Sequence, residues 1–232
     1  KGPPAEPSSV PPAASSLGRP TTPALLDRFG RLHTYLRVSV TDRCNFRCVY
    51  CLPEEGMQWM PRRDVLSFEE VARIVRVMAQ MGLRRVRLTG GEPTIRRDIQ
   101  ALVSAVAAVP GIDDVSMTTN AHRFASQAEG LAAAGLRRVN VSIDSLDPAR
   151  FSQITRGGDL AAVLDGIEAA RAAGLVPVKL NMVVMRGVND DEIVSMVRYF
   201  QSHAADTVVR FIEYMPFEGR WMYKEVSGLV EI

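Results

Sequence analysis

A chain of 232 residues, 47% of them hydrophobic, can bury a sizeable core in a single domain. A formal charge of +2 gives no global attraction for DNA, RNA or an anionic membrane surface. No apolar run approaches the length of a bilayer span, and the first residues lack the hydrophobic core of a secretory signal.

In chain order, residues 1–24 come first and hold half of the prolines among Ala, Ser and Thr. Such a segment cannot bury enough apolar surface to offset its chain entropy, so it reads as a disordered leader or linker. Tyr35 to Val40 alternates and predicts a strand running straight into the only cysteines, Cys44, Cys48 and Cys51. Ser67-Phe68-Glu69-Glu70 is a capping-box start for a helix with Val71, Ile74, Val75 and Met78 on one face. That helix stops at Gly82, where a repeat begins. Gly82-Leu83-Arg84-Arg85-Val86-Arg87-Leu88 is echoed from Gly135 to Val141 and again from Gly174 to Leu180. Each glycine stands where a helix end needs a left-handed residue, and a strand follows each.

Further strands are expected at Val115–Thr119 and Thr207–Ile212. Helices are expected over Asp98–Ala108, Ala125–Ala134 and Leu160–Ala173, with another opened by Asn189 to Glu192. Asp147-Pro148 reads as a cap followed by proline at the first helical position. Strand, helix, glycine, strand, repeated about six times, predicts an α/β fold with a parallel sheet, curved into a partial (β/α)6 barrel.

Three thiols spaced C-x3-C-x2-C give a four-iron cluster three ligands and leave one iron open, the condition for chemistry at a metal. Tyr50 adds a flat apolar surface beside them. A structural zinc site with His33 as fourth ligand is the plainer alternative, although His33 lies outside the usual finger spacings. Disulfides fit worse, because three is odd and a chain this long needs no staple. Unpaired thiols suit a reducing compartment: the cytoplasm, or the mitochondrial matrix in a eukaryote.

Strand parity decides what points inward. Val86, Leu88, Val139, Val141, Val178 and Leu180 share the face toward the helices. The opposite face carries Arg37, Ser39, Arg87, Thr89, Ser116, Thr118, Asn140, Ser142, Lys179 and Asn181. A barrel interior is ordinarily branched and apolar, so several converging cations call for an anion, and a polyphosphate suits them better than one carboxylate. Acidic partners within the protein are the alternative. Arg210 is a further candidate whose parity is open. After the second strand comes Thr89-Gly90-Gly91-Glu92-Pro93: adjacent glycines let backbone approach a ligand closely, and Glu92 can accept from an ammonium group. Met117, Met182 and Met185 read as strand-core packing.

The cysteine loop followed one βα unit later by GGEP resembles the radical S-adenosylmethionine (SAM) superfamily. The strings LRVSVTDRCNFRCVYC, RLTGGEPTIRRD, MTTN, RRVNVSIDSLD, VKLNMVVMRGVND and VRFIEYMPFEG are together similar to the GTP 3′,8-cyclase (MoaA) family of molybdenum-cofactor biosynthesis. The resemblance covers Asp27 to about Trp221. It implies a 4Fe–4S cluster on Cys44, Cys48 and Cys51, with SAM chelating the open iron and supplying a 5′-deoxyadenosyl radical. That radical would take hydrogen from C3′ of GTP, and C3′ would bond to guanine C8. By the same resemblance Tyr50, Gly91, Glu92, Ser142 and Met215 match SAM contacts, and Arg37, Arg87, Thr118 and Lys179 match GTP contacts, with Arg210 added as a phosphate ligand. It also implies a flavodoxin or ferredoxin as electron donor, the downstream cyclic pyranopterin monophosphate synthase as consumer, and a homodimer.

The domain division is then a leader over 1–24, a radical SAM barrel over 25–216, and the start of a truncated C-terminal segment over 217–232. The family's second three-cysteine 4Fe–4S cluster has no ligands here, since no cysteine follows Cys51. SAM cleavage without GTP cyclisation is therefore an alternative expectation, as is another radical SAM activity. Ala121 stands where the family has glycine, and a slightly different turn is expected there.

Overall fold

The computed structural model describes residues 24–52 and 57–214. Its centre is one six-stranded, all-parallel sheet with strands in chain order. The strands are β1 (Tyr35–Ser39), β2 (Arg85–Thr89), β3 (Asp114–Thr119), β4 (Arg138–Ser142), β5 (Val178–Val184) and β6 (Thr207–Glu213). The helices are α1 (Phe68–Gln80), α2 (Ile99–Ala107), α3 (Ala128–Ala133), α4 (Pro148–Thr155), α5 (Leu160–Ala172) and α6 (Ile193–His203). Among the described residues β1 and β6 are the two edges and do not pair, so the sheet is the open, partial barrel that six βα units predict.

The parity reading holds. Val86, Leu88, Val139, Val141, Val178 and Leu180 are all fully buried, together with Met117 and Met182. Gly82, Gly135 and Gly174 end their helices at φ of 105°, 103° and 76°, the left-handed region that spares a glycine the Cβ clash. Ser67 completes its capping box with Glu70, and the Asp147 side chain accepts from Arg150 N at the head of α4.

Two expectations change. Ile74 is 41% exposed, because α1 buries the stripe Val71, Ala72, Val75 and Ala79 and leaves position 74 on its flank. The helix expected from Ala125 starts at Ala128, since residues 122–127 make turns first. Ala121 holds φ +59°, a left-handed conformation that glycine adopts more cheaply. Residues 1–23 and 215–232, and with them Met215, most of the expected leader and all of the expected terminal segment, lie outside the described residues.

Candidate active site

The cysteine loop leaves β1 and is held from three other places, two of them through backbone. Gly91 N donates to Thr41 O at 2.6 Å and Glu92 N to Arg43 O at 2.8 Å. On the far side Arg47 N and Val49 N donate to Thr155 O and Ile154 O at the end of α4. Asn120 Nδ2 donates to Asn45 Oδ1 at 2.9 Å and approaches Cys44 Sγ at 3.9 Å. Phe46, 5% exposed, pins the loop from within, edge-on to Phe151 and His122.

The GGEP turn has two structural duties that the sequence did not show. Gly90 and Gly91 lie close against the backbone of the cysteine loop. A Cβ on Gly90 would stand 2.3 Å from Thr41 O, and one on Gly91 would stand 2.0 Å from Arg43 O. Glu92 is 1% exposed and already committed. Its Oε1 accepts from Thr94 N, Thr94 Oγ1 and Thr119 Oγ1, and its Oε2 accepts from Asn120 N at 2.6 Å. Little carboxylate surface is left for an incoming ammonium. Burial raises its pKa, against those hydrogen bonds.

Cys44, Cys48, Cys51, Tyr50, Gly91 and Ser142 line one cavity of about 200 Å³. Burial raises the pKa of all three thiols, and for Cys48 the Asp144 carboxylate and the other two thiols raise it further. Cys44 and Cys48 are half-buried and Cys51 is exposed, and three thiols that resist ionisation together are a donor set whose charged form is stabilised by a cation. Among the described residues no three His, Cys, Asp or Glu side chains meet at the spacing of a single metal ion. His33 instead faces Asp27 at 3.6 Å. The zinc alternative therefore gains no support from geometry, whereas thiols spread around a cavity fit a multi-iron centre.

Tyr50 carries more than its flat ring. Its hydroxyl donates to Asp144 Oδ2 at 2.6 Å, and Val183 N donates to Asp144 Oδ1 at 2.8 Å. Burial pushes the Asp144 carboxyl up to about 6 despite both bonds. Asn189, fully buried, donates to the backbone oxygens of Asp144 and Val183. Asp144 and Asn120 were missed in the sequence. Each lies one or two residues past the end of its strand, where alternation stops guiding.

The inner face of the sheet is cationic. Arg37 sits opposite Arg87 in the β1–β2 register, and Arg210 sits opposite Asn181 in the β5–β6 register. Paired residues of a sheet share a face, so Arg210 points inward with Lys179. Arg87 donates to Ser116 Oγ at 3.3 Å. Its pKa is lowered first by burial and then by Arg37, Arg210 and Arg138. The pKa of Lys179 is lowered first by burial and then by Arg138, Arg210 and Arg87. Arg138 also escaped the sequence reading, though parity with Asn140 would have found it. It is paired with Asp114, Nε to Oδ1 at 3.1 Å. Among the described residues no carboxylate pairs with Arg37, Arg87, Lys179 or Arg210, so internal neutralisation accounts for Arg138 alone. Thr118 Oγ1, Asn181 Oδ1 and Arg210 Nε are sealed from solvent with no hydrogen-bond partner among the described residues. Orphaned polar atoms beside unpaired cations fit a polar, anionic ligand.

A sequence profile described as the radical SAM superfamily matches residues 38–200. A GTP 3′,8-cyclase of Listeria welshimeri is 53% identical over 192 residues, covering 83% of this chain and 57% of that protein. One of Pelotomaculum thermopropionicum is 50% identical over 190 residues, covering 82% and 58%. The chain thus spans a little over half the length of these relatives. Among solved structures, Streptococcus suis SuiB bound to SAM has a TM-score of 0.64 at 20% identity, covering 80% of this chain and 42% of that one. HydG, a maturase of the FeFe-hydrogenase, has a TM-score of 0.65 at 15% identity, covering 85% and 46%.

Proposed function

The chain belongs to the radical SAM superfamily, whose members work with an iron–sulfur cluster and SAM, and from that premise we propose that it carries the barrel of a GTP 3′,8-cyclase. Cys44, Cys48 and Cys51 would hold a 4Fe–4S cluster, and Tyr50, Gly91, Glu92 and Ser142, around the same cavity, would receive SAM together with Met215. When bound, the cluster and SAM supply the one-electron cleavage that yields a 5′-deoxyadenosyl radical. Glu92 also serves this site as a brace between the GGEP and TTN turns.

Arg37, Arg87, Lys179 and Arg210 bind the triphosphate, and Thr118 supplies a hydroxyl beside them. Their work is orientation. Fixing the phosphates at one place sets C3′ of the ribose toward the cysteine cavity, so that hydrogen removal is intramolecular in effect. The net reaction joins C3′ to guanine C8 and gives 3′,8-cyclo-7,8-dihydroguanosine triphosphate, the first step toward the molybdenum cofactor. A flavodoxin or ferredoxin as electron source, a cytoplasmic setting, and hand-over to cyclic pyranopterin monophosphate synthase belong to the same proposal. No helix among the described residues is long and apolar enough to cross a membrane.

The observation that carries this reading is the set of inner-face cations without acidic partners among the described residues, beside a cavity lined by three thiols. A peptide-modifying relative has no use for that set. Calorimetry on the anaerobically reconstituted chain tests it: GTP is expected to bind far more tightly than guanosine, and equal or absent binding rejects it. A second reading follows from the 57% coverage. Release of 5′-deoxyadenosine without cyclised nucleotide would assign SAM cleavage alone to the residues present, with cyclisation requiring more of the relatives' length.

A further inference from the structure

Of the three inner-face atoms left without partners among the described residues, Thr118 Oγ1 and Arg210 Nε belong to side chains already assigned to the nucleotide. Asn181 does not. Its Oδ1 is an acceptor sealed from water, and leaving such an atom unmet is costly. The register places Asn181 beside Ser142 on one side and Arg210 on the other. Ser142 lines the cysteine cavity, and Arg210 belongs to the cation cluster with Lys179, two residues before Asn181 on the same face. A ligand that reaches from the cavity to the cations passes this carboxamide.

The chemistry of the missing partner follows from the atom. Oδ1 needs a donor, and ionised phosphates have none to give. Next to the triphosphate comes the sugar, which itself bears the carbon set toward the cavity and carries two hydroxyl donors. We propose that Asn181 is a substrate-binding residue whose Oδ1 accepts a hydrogen bond from a ribose hydroxyl of the purine nucleotide. It fixes which edge of the sugar faces the cavity, and it distinguishes ribonucleotides from deoxyribonucleotides. This assignment rests on the GTP reading above.

The test is calorimetric titration of the reconstituted chain, with SAM present, using GTP, 2′-deoxyGTP and 3′-deoxyGTP. The unaltered chain is expected to prefer GTP over at least one deoxy analogue by about tenfold, the worth of one buried hydrogen bond. Asn181→Ala is expected to bring that ratio to about one. Asn181→Asp keeps the acceptor and is expected to keep the ratio, while weakening all three nucleotides through charge repulsion. Asn181→Leu, which fills the space without an acceptor, gives the same reading should the alanine variant fail to fold. An unchanged ratio in the alanine or leucine variant overturns the assignment. So does a loss of SAM affinity parallel to that for GTP, which moves Asn181 to the cofactor, and so does an absence of preference in the unaltered chain. A chain that binds SAM but no GTP overturns the functional reading itself, a result distinct from all of these.

Discussion

Lys179 and Glu92 show how single residues divide binding from folding. Lys179 stands among Arg87, Arg138 and Arg210, and burial with those charges lowers its pKa below that of a free lysine. A base so lowered binds fewer protons folded than unfolded. The repulsion is therefore present at neutral pH and is relieved as pH rises from the folded value toward 10.5. Lys179→Met is expected to raise the unfolding midpoint of the ligand-free chain near pH 7 while weakening GTP binding about tenfold or more, as scanning calorimetry and titration would show. For Glu92→Gln, an amide nitrogen facing the donors of Thr94 or Asn120 should destabilise the ligand-free chain by about 2 kcal/mol. An unchanged denaturation midpoint with weaker SAM binding would leave Glu92 to the cofactor alone. The cations were legible in the sequence because strand parity is local. The commitment of Glu92 was not, since its partners Thr119 and Asn120 arrive from another strand's end.

At the level of elements, glycine punctuation and capping told most of the story. The Ser67 capping box is visible in four residues and forms as read, so Ser67→Ala should cost about 1 kcal/mol in urea denaturation. The GGEP turn was legible as a turn but not in its purpose, because nothing local says that Arg43 O lies where a Cβ on Gly91 would go. Gly91→Ala must push backbone against backbone. A loss of about 3 kcal/mol is expected, together with poor iron uptake on reconstitution, measured as bound iron and sulfide. Arg138 is the converse case: the alternation that placed Asn140 inward placed it too, and Asp114 on the neighbouring strand takes up its charge.

For the whole molecule, six parallel strands in sequence order put the longest-buried backbone at the centre and leave β1 and β6 as edges among the described residues. Hydrogen exchange should follow that order, with amides of β3 and β4 slowest and those of β6 among the fastest of the sheet. Val208, Phe211 and Ile212 on β6 are each about two-fifths exposed, which fits its place at the rim. Equal protection across all six strands would contradict an open sheet.

The loop bearing Cys44, Cys48 and Cys51 is fastened to the turn after β2, the turn after β3 and the end of α4, three places far apart along the chain. Those fastenings are amide, carbonyl and carboxamide bonds that owe nothing to iron. The scaffold therefore comes first and the inorganic centre is a late guest. Chelators or oxygen should bleach it while the fold persists, and a bleached chain should be refillable without passing through the unfolded state, unlike zinc fingers, which unravel when stripped.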